Sequence, residues 1–333
     1  MTDQRLFSIF KNSSAMKVLR TVEELASLTG STYLAIGVFD GLHVGHQAVI
    51  GRALDSARKT GGTAVVVTFD PHPVRVLRPE KGPRLLTSTR HKVKLMEKLG
   101  VDAVLLLEFT SEFSKTPPEI FIQELVRSAN DLQQICVGQE WTFGANRSGS
   151  IRLLEELAPK MGFQVASVPP VSINERVVSS TLIRSAVESG DLESAAKYLG
   201  RDFTILGTVT EGRQLGRRLG FPTANLRAHN ELFPPNGVYA AKAWFRETEF
   251  GGVVNIGVRP TVENETGERL LELHLFDFDR QIYEEDIEVD FLAYLRPEQK
   301  FSGVEELRTQ IQHDAEKARG IYELSLKYPK QGV

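Results

Sequence analysis

Two histidines three residues apart, His43 and His46, stand in Ile36-Gly-Val-Phe-Asp-Gly-Leu-His-Val-Gly-His46, between an apolar run and a helical pattern. A helix that starts directly after a strand turns its free N–H groups toward the strand's C-terminal end, where anions bind. Glycines at 37, 41 and 45 let the backbone approach a ligand closely. At this spacing both imidazoles can reach the same phosphate oxygens. Groups so placed stabilise the charge that builds on a pentacovalent phosphorus. Adenylyl transfer asks little more of a protein: a substrate phosphate attacks, pyrophosphate leaves, and orientation and positive potential, with Mg2+, do the rest. The same histidines also suit a cap and a surface residue, or half of a metal site. Zinc would need further ligands, and the chain has neither HExxH nor a cysteine pair. A second helix start, Val178-Ser-Ser-Thr-Leu-Ile-Arg184, offers three hydroxyls and an arginine able to grip β- and γ-phosphates. Alone, it is simply a good N-cap.

A different phosphate chemistry is suggested between Thr210 and Asn225. Glycines at 212, 216 and 220 alternate with Arg213, Arg217 and Arg218, a basic loop fit to cover phosphates. The GxxxxGK[ST] spacing and its lysine are missing, so an ordinary P-loop is not supported. In Pro222-Thr-Ala-Asn225 the Thr223 hydroxyl and the Asn225 amide are oxygen donors two apart, suited to a hard cation such as Mg2+. By itself PTAN is more often a turn.

These segments need elements to hold them. From Tyr33 onward short apolar runs (TYLAIGVF, TAVVVTF, VDAVLLLEF, LQQICVG, FQVASVP) alternate with helical patterns, which predicts a parallel α/β sheet. In the helix near 45 to 59, Val49, Ala53, Leu54 and Ala57 line one face and Gly61-Gly62 ends it. Thr116-Pro-Pro-Glu119 predicts a capping box opened by Thr116. Two more helices are expected from about Ser180 and from Asp191. After Gly200 the pattern turns to strands: FTILGTVTEG, GVYAAKAWF, GGVVNIGV, LLELHLFDF and IEVDFLAYL, with no helix between them. A compact antiparallel barrel is the economical fold. A last helix from about Val304 to Leu326 carries Val304, Leu307, Ile311, Ala315, Ala318, Ile321 and Tyr322 on one stripe, which predicts packing on the barrel wall.

The 333 residues allow two cores, and the boundary is placed near Gly200-Arg201-Asp202. The expected domains are 17–200 and 201–333, with 1–16 either a loose extension or the product of an upstream start choice. A net charge of -3 gives no basic excess for nucleic acid. No apolar run reaches the roughly 18 residues a membrane span needs, and no signal-peptide pattern opens the chain. One cysteine, Cys136, excludes an internal disulfide and fits a buried strand position in a reducing cytoplasm. Small-molecule substrates and a monomer or weak homo-oligomer are expected.

GVFDGLHVGH, TFDPHP (Thr68 to Pro73), VGQEWTFG (Val137 to Gly144) and SSTLIR, in this order, resemble the adenylyltransferase module of prokaryotic bifunctional FAD synthetases. That module is a branch of the HxGH nucleotidyltransferases, and the likeness covers roughly residues 17 to 190. It implies that His43 and His46 contact ATP phosphates and that Gly37, Phe39, Asp40 and Gly41 line the nucleotide site. It also implies that Ser179, Ser180, Thr181 and Arg184 hold the same phosphates, and that Asp70 orders the flavin phosphate or the metal. Glu140 and Trp141 depart from the family's usual acidic or amide residue followed by Phe, so flavin contacts there stay open, with Trp141 and Phe143 equally fit to be core aromatics. GRRLGFPTAN, PPNGVYAA, NIGVRPT, LELHLFDF and LRPEQKF resemble the riboflavin kinase barrel over about 200 to 325. This likeness implies that Glu272 is the general base on the ribityl 5'-hydroxyl and that Thr223 and Asn225 bind Mg2+. Gly216, Arg217, Gly220, Pro222 and Asn255 would contact nucleotide or flavin. Without the resemblance, Glu272 in an alternating strand is a solvent-facing glutamate. Taken together, the two likenesses imply a chain that phosphorylates riboflavin to FMN and adenylylates FMN to FAD, each step using ATP.

Overall fold

The computed structural model describes residues 16–211, 220–261 and 264–328. They form two compact units, one holding the described residues up to Pro83 with Lys92–Val171, the other holding Arg84–His91 and the described residues from Ser172.

In the first unit the apolar runs become strands because both their faces are covered, the condition under which a strand is apolar throughout. β1 (Lys17–Leu19), β2 (Thr32–Ile36), β3 (Thr63–Asp70), β4 (Ala103–Glu108), β5 (Leu132–Gly138) and β6 (Gln164–Val168) form one parallel sheet in the order β1-β4-β3-β2-β5-β6. Alternate residues feed two cores. Leu34, Ile36, Val65, Val67, Leu105 and Ile135 enter one, and Tyr33, Ala35, Ala64, Val66, Val104 and Cys136 enter the other. The helices are α1 (Val44–Thr60), α2 (Pro73–Leu77), α3 (Thr89–Lys98), α4 (Pro118–Ser128) and α5 (Ile151–Met161). α3 begins in the residues of the second unit. α1 buries Val49, Ala53, Leu54 and Ala57, as the periodicity predicts, and stops where Gly61 takes φ 69°. β3 and β5 flank β2 on opposite sides, so the strand order reverses at β2, and a crevice for ligands opens at such a switch. The His43–His46 segment follows β2 at that point. Cys136 is buried, and burial pushes its thiol up to about 12, which makes it inert.

One local expectation is corrected. α4 is capped by Pro117 without a side-chain hydrogen bond, and Thr116 instead donates its N–H to the Phe113 carbonyl at 3.0 Å. The extended backbone of Pro117 moves the helix start one residue on, with Pro118 as its first residue.

The second unit opens with a short hairpin of β7 (Ser172–Ile173) and β8 (Arg176–Val177), then α6 (Ser180–Ser189) and α7 (Leu192–Leu199). Ser179 and Asp191 cap the two helices with their side chains, and Gly190 ends the first at φ 81°. β9 (Thr204–Thr210), β10 (Ala224–Ala228), β11 (Gly237–Phe245), β12 (Thr248–Thr261), β13 (Asn264–Leu275) and β14 (Asp286–Arg296) close a barrel in the order β10-β13-β12-β11-β14-β9. Each neighbouring pair is antiparallel. The final helix, α8 (Val304–Lys327), packs on β11, β12 and β14.

Five of these strands are legible as apolar runs. β10 is not: its ANLRA sequence has one buried residue, Leu226, and no β-branched side chain. Pairing on both sides makes it a strand, with Asn225 opposite Thr210 of β9 and Glu272 of β13. The α8 stripe is also shorter than expected. Ala318 is fully buried, whereas Val304 in the first turn is 60% exposed. Among the described residues no helix is long and apolar enough to cross a membrane.

Candidate active sites

His43 is buried and caps α1: its Nδ1 accepts from the His46 N–H at 3.3 Å. That contact folds the two imidazoles onto each other, with ring centroids 3.6 Å apart and planes 20° from parallel. Phe39 meets His46 edge-on at 5.3 Å. The turn that arranges them is strained, with Phe39 at φ 53° and Leu42 at φ 42°, a region that costs about 1–3 kcal/mol for non-glycine residues. Gly41, at φ 83°, takes the same region at little cost. Gly37 is required for a different reason: a Cβ there would come within 2.9 Å of the Phe39 ring. Burial, with the neighbouring His43 and Lys92 charges, holds His46 well below the usual imidazole value. Its Nδ1 is buried and has no hydrogen-bond partner among the described residues. A neutral ring with an unsatisfied polar atom, beside a helix start, suits a ligand that brings hydrogen-bonding oxygens.

Asp40 is buried beside this turn, and Asp70 ends β3, where its carbonyl accepts from the Phe109 N–H at 2.9 Å. A residue that the motifs do not mark joins them. Lys92 of α3 is only 6% exposed, and its Nζ donates to the Val38 carbonyl (3.2 Å), Thr68 Oγ1 (3.1 Å) and the Phe69 carbonyl (3.3 Å). Burial lowers its ammonium to about 8, opposed by the charges of Asp40 and Asp70. The available signal was a lysine three and four residues before Leu95 and Met96, on the apolar face of its helix. Trp141 and Phe143 stack at 4.3 Å and pack against the sheet core. Ser179, Ser180, Thr181 and Arg184 lie in the second unit, at the start of α6. Ser179 Oγ accepts from the Leu182 N–H at 3.2 Å, and Arg184 Nε donates to the Arg84 carbonyl at 2.8 Å.

The barrel assembles its site by register. Asn225 of β10 and Asn255 of β12 are the direct partners of Glu272 on β13, which puts all three side chains in one row on one face. Thr223 precedes Asn225 by two residues and His274 follows Glu272 by two. Thr223, Asn225, Asn255, Glu272 and His274, all half-buried, line a cavity of about 340 Å3 together with Leu307, Ile311 and Ala315 of α8. Glu272 thus faces a cavity rather than open solvent. His274, which the motifs did not single out, donates from Nδ1 to the Pro222 carbonyl at 2.8 Å and packs edge-on against Phe221 at 5.6 Å. Burial lowers its imidazole. Arg296 of β14, another residue of the cavity wall, binds Asp314 of α8 at 2.8 Å and so ties the helix to the barrel. Gly220 takes φ 89°. Gly216 and Arg217, with the rest of 212–219, lie outside the described residues, as do 1–15.

Residues 26–182 match the family model described as FAD synthetase, and 199–322 match the one described as riboflavin kinase. A bifunctional riboflavin kinase/FMN adenylyltransferase of Bacillus subtilis is 36% identical over 86% of this chain and 90% of its own. The Escherichia coli K12 protein of the same description is 34% identical over 93% and 99%. The one from Buchnera aphidicola of Schizaphis graminum is 34% identical over 93% and 100%. A solved structure described as a macrolide-efflux protein from Streptococcus pneumoniae superposes with a TM-score of 0.78 at 29% identity, covering 92% of this chain and 99% of that one. With two family models that together span most of its length and relatives matched end to end, the chain belongs to the family of bifunctional riboflavin kinase/FMN adenylyltransferases.

Proposed function

We propose that the barrel transfers the γ-phosphate of ATP to riboflavin, giving FMN, and that the α/β unit joins FMN to the adenylyl group of a second ATP, giving FAD and pyrophosphate. The observation that carries this reading is the row Asn225, Glu272, Asn255 in one cavity with Thr223. Glu272 accepts the proton of the ribityl 5'-hydroxyl, whose oxygen attacks the γ-phosphorus as ADP leaves. The oxygen donors of Thr223 and Asn225 fit a hard divalent cation, so these two would hold Mg2+, which offsets charge on the phosphates. Asn255, beside Glu272, orients the carboxylate or the flavin hydroxyls. Gly216, Arg217, Gly220 and Pro222 contact the nucleotide.

In the second reaction the FMN phosphate attacks the α-phosphorus. His43 and His46, at the positive end of α1, donate to the oxygens on which charge develops. Gly37, Phe39, Asp40 and Gly41 shape the nucleotide turn, and Asp70 orders the flavin phosphate or the metal. The start of α6, with Ser179, Ser180, Thr181 and Arg184, holds the β- and γ-phosphates. The functional boundary is kept near Gly200. Riboflavin, FMN, FAD and ATP, with Mg2+, meet the needs of this chemistry; it calls for neither nucleic acid nor membrane and suits a cytoplasmic monomer or weak homo-oligomer.

Chromatography of the products formed from riboflavin, Mg2+ and ATP tests the reading. FMN and FAD should both accumulate, and their absence would refute it.

A further inference from the structure

We propose that Lys92 is a positioning residue for adenylyl transfer, its ammonium fastening the anion-binding turn after β2 to the TFDPHP end of β3. The inference rests on the functional reading given for the α/β unit. Three observations carry it. Lys92 Nζ donates to Val38 on one side and to Thr68 and Phe69 on the other, so one group bridges both segments. Thr68 Oγ1 itself donates to the Val38 carbonyl at 3.0 Å, which closes a small buried network joining the two strand ends. The charge is also electrostatically coupled to the site: Asp40 and Asp70 favour it, and it disfavours a proton on His46.

All three ammonium protons are used on protein atoms, so Lys92 does not reach a phosphate. Its effect passes through the placement of others. The turn after Val38 carries Phe39, Asp40 and the imidazoles, while Phe69 leads directly into Asp70. If the ATP turn and the flavin-phosphate end of β3 are to present their ligands in line, they must keep a fixed separation, and misplacement of about 1 Å costs on the order of 100-fold in rate. A positively charged tether is suited to this because Asp40 and Asp70 both favour a positive charge at its place.

The test compares Lys92→Met, Lys92→Gln and, as a control for lost helix packing, Met96→Ala, a fully buried residue of the same helix. Each full-length variant is assayed for FMN-to-FAD conversion and for riboflavin phosphorylation, and its melting temperature is recorded. Lys92→Met should lower kcat for FAD formation about 30- to 100-fold with the KM values for ATP and FMN within about threefold. Riboflavin phosphorylation should stay within about twofold of the parent. Lys92→Gln, which keeps donors but no charge, should fall between, and it carries the test should Lys92→Met not fold. Met96→Ala should melt earlier yet keep kcat within about threefold. The proposal is overturned if the Lys92 variants keep kcat within about threefold, or if Met96→Ala loses kcat equally at a matched melting temperature. A parent protein that makes no FAD from supplied FMN would instead refute the functional reading beneath it.

Discussion

The two candidate sites are built by opposite means. The imidazole site comes from one continuous stretch, 36 to 46, whose backbone turns through left-handed dihedrals at Phe39, Gly41 and Leu42 to place a helix start. The barrel site collects Asn225, Asn255 and Glu272 from three strands that meet through pairing register, with Thr223 just ahead of the first of them. In the first, a left-handed turn and a helix start shape the candidate site. In the second, pairing register lines up the side chains and the backbone serves as a ruler. Substitutions should therefore fail differently in the two: by shape in the turn, by chemistry in the row.

The sharpest contrast should come from Glu272→Gln. Loss of the base is expected to lower riboflavin phosphorylation about 10²- to 10⁴-fold, measured as kcat, while conversion of supplied FMN to FAD stays within about twofold. An unchanged kinase rate would remove Glu272 from the chemistry. His46→Ala should follow, with FAD formation reduced about 10²- to 10³-fold by loss of one donor to the developing charge and FMN formation retained. Equal loss of both activities would break the separation of the sites.

Gly37→Ala probes shape. Its Cβ meets the Phe39 ring, so thermal unfolding of the α/β unit should show a loss of about 1–3 kcal/mol, larger than for Asn255→Ala, which empties part of a cavity wall. If Asn255→Ala destabilised the fold more, the row would owe more to packing than to chemistry.

The smallest effect concerns pH. The His46 ring is held below its ordinary value in the folded chain, so as pH falls the unfolded chain takes up that proton first. The His46 contribution to stability is therefore complete above about pH 6.5 and is lost only as pH drops below it. Nitrogen chemical shifts of His46 should show a neutral ring at pH 6.5, and a charged ring there would contradict the burial argument.

The contiguous site is largely legible in sequence because helix starts, glycines and histidine spacing are local properties, and α1 and its turn fall where the periodicity places them. Parallel strands were equally readable, since burial on both faces leaves unbroken apolar runs. The row was readable only through family motifs. Nothing local marks PTAN as leading into a strand, because β10 is held by two partners rather than by its own composition. The same blindness hid the cavity that Glu272 lines: alternation says which way a side chain points, but not that Leu307 and Ile311, 35 and 39 residues later, will line the same cavity. The roles of Lys92 and His274 were not legible because their partners include backbone carbonyls, which have no signature in a sequence; the place of Lys92 on the apolar face of its helix was the one local sign.

That two complete and separable sites reside in one chain is tested most directly by mixing His46→Ala with Glu272→Gln and supplying riboflavin, Mg2+ and ATP. Alone, the first should stop at FMN and the second should leave riboflavin unchanged. Together they should make FAD, since FMN released by one is a substrate for the other. Failure of the mixture while each variant keeps its own remaining activity, or loss of both activities from either substitution, would contradict the account.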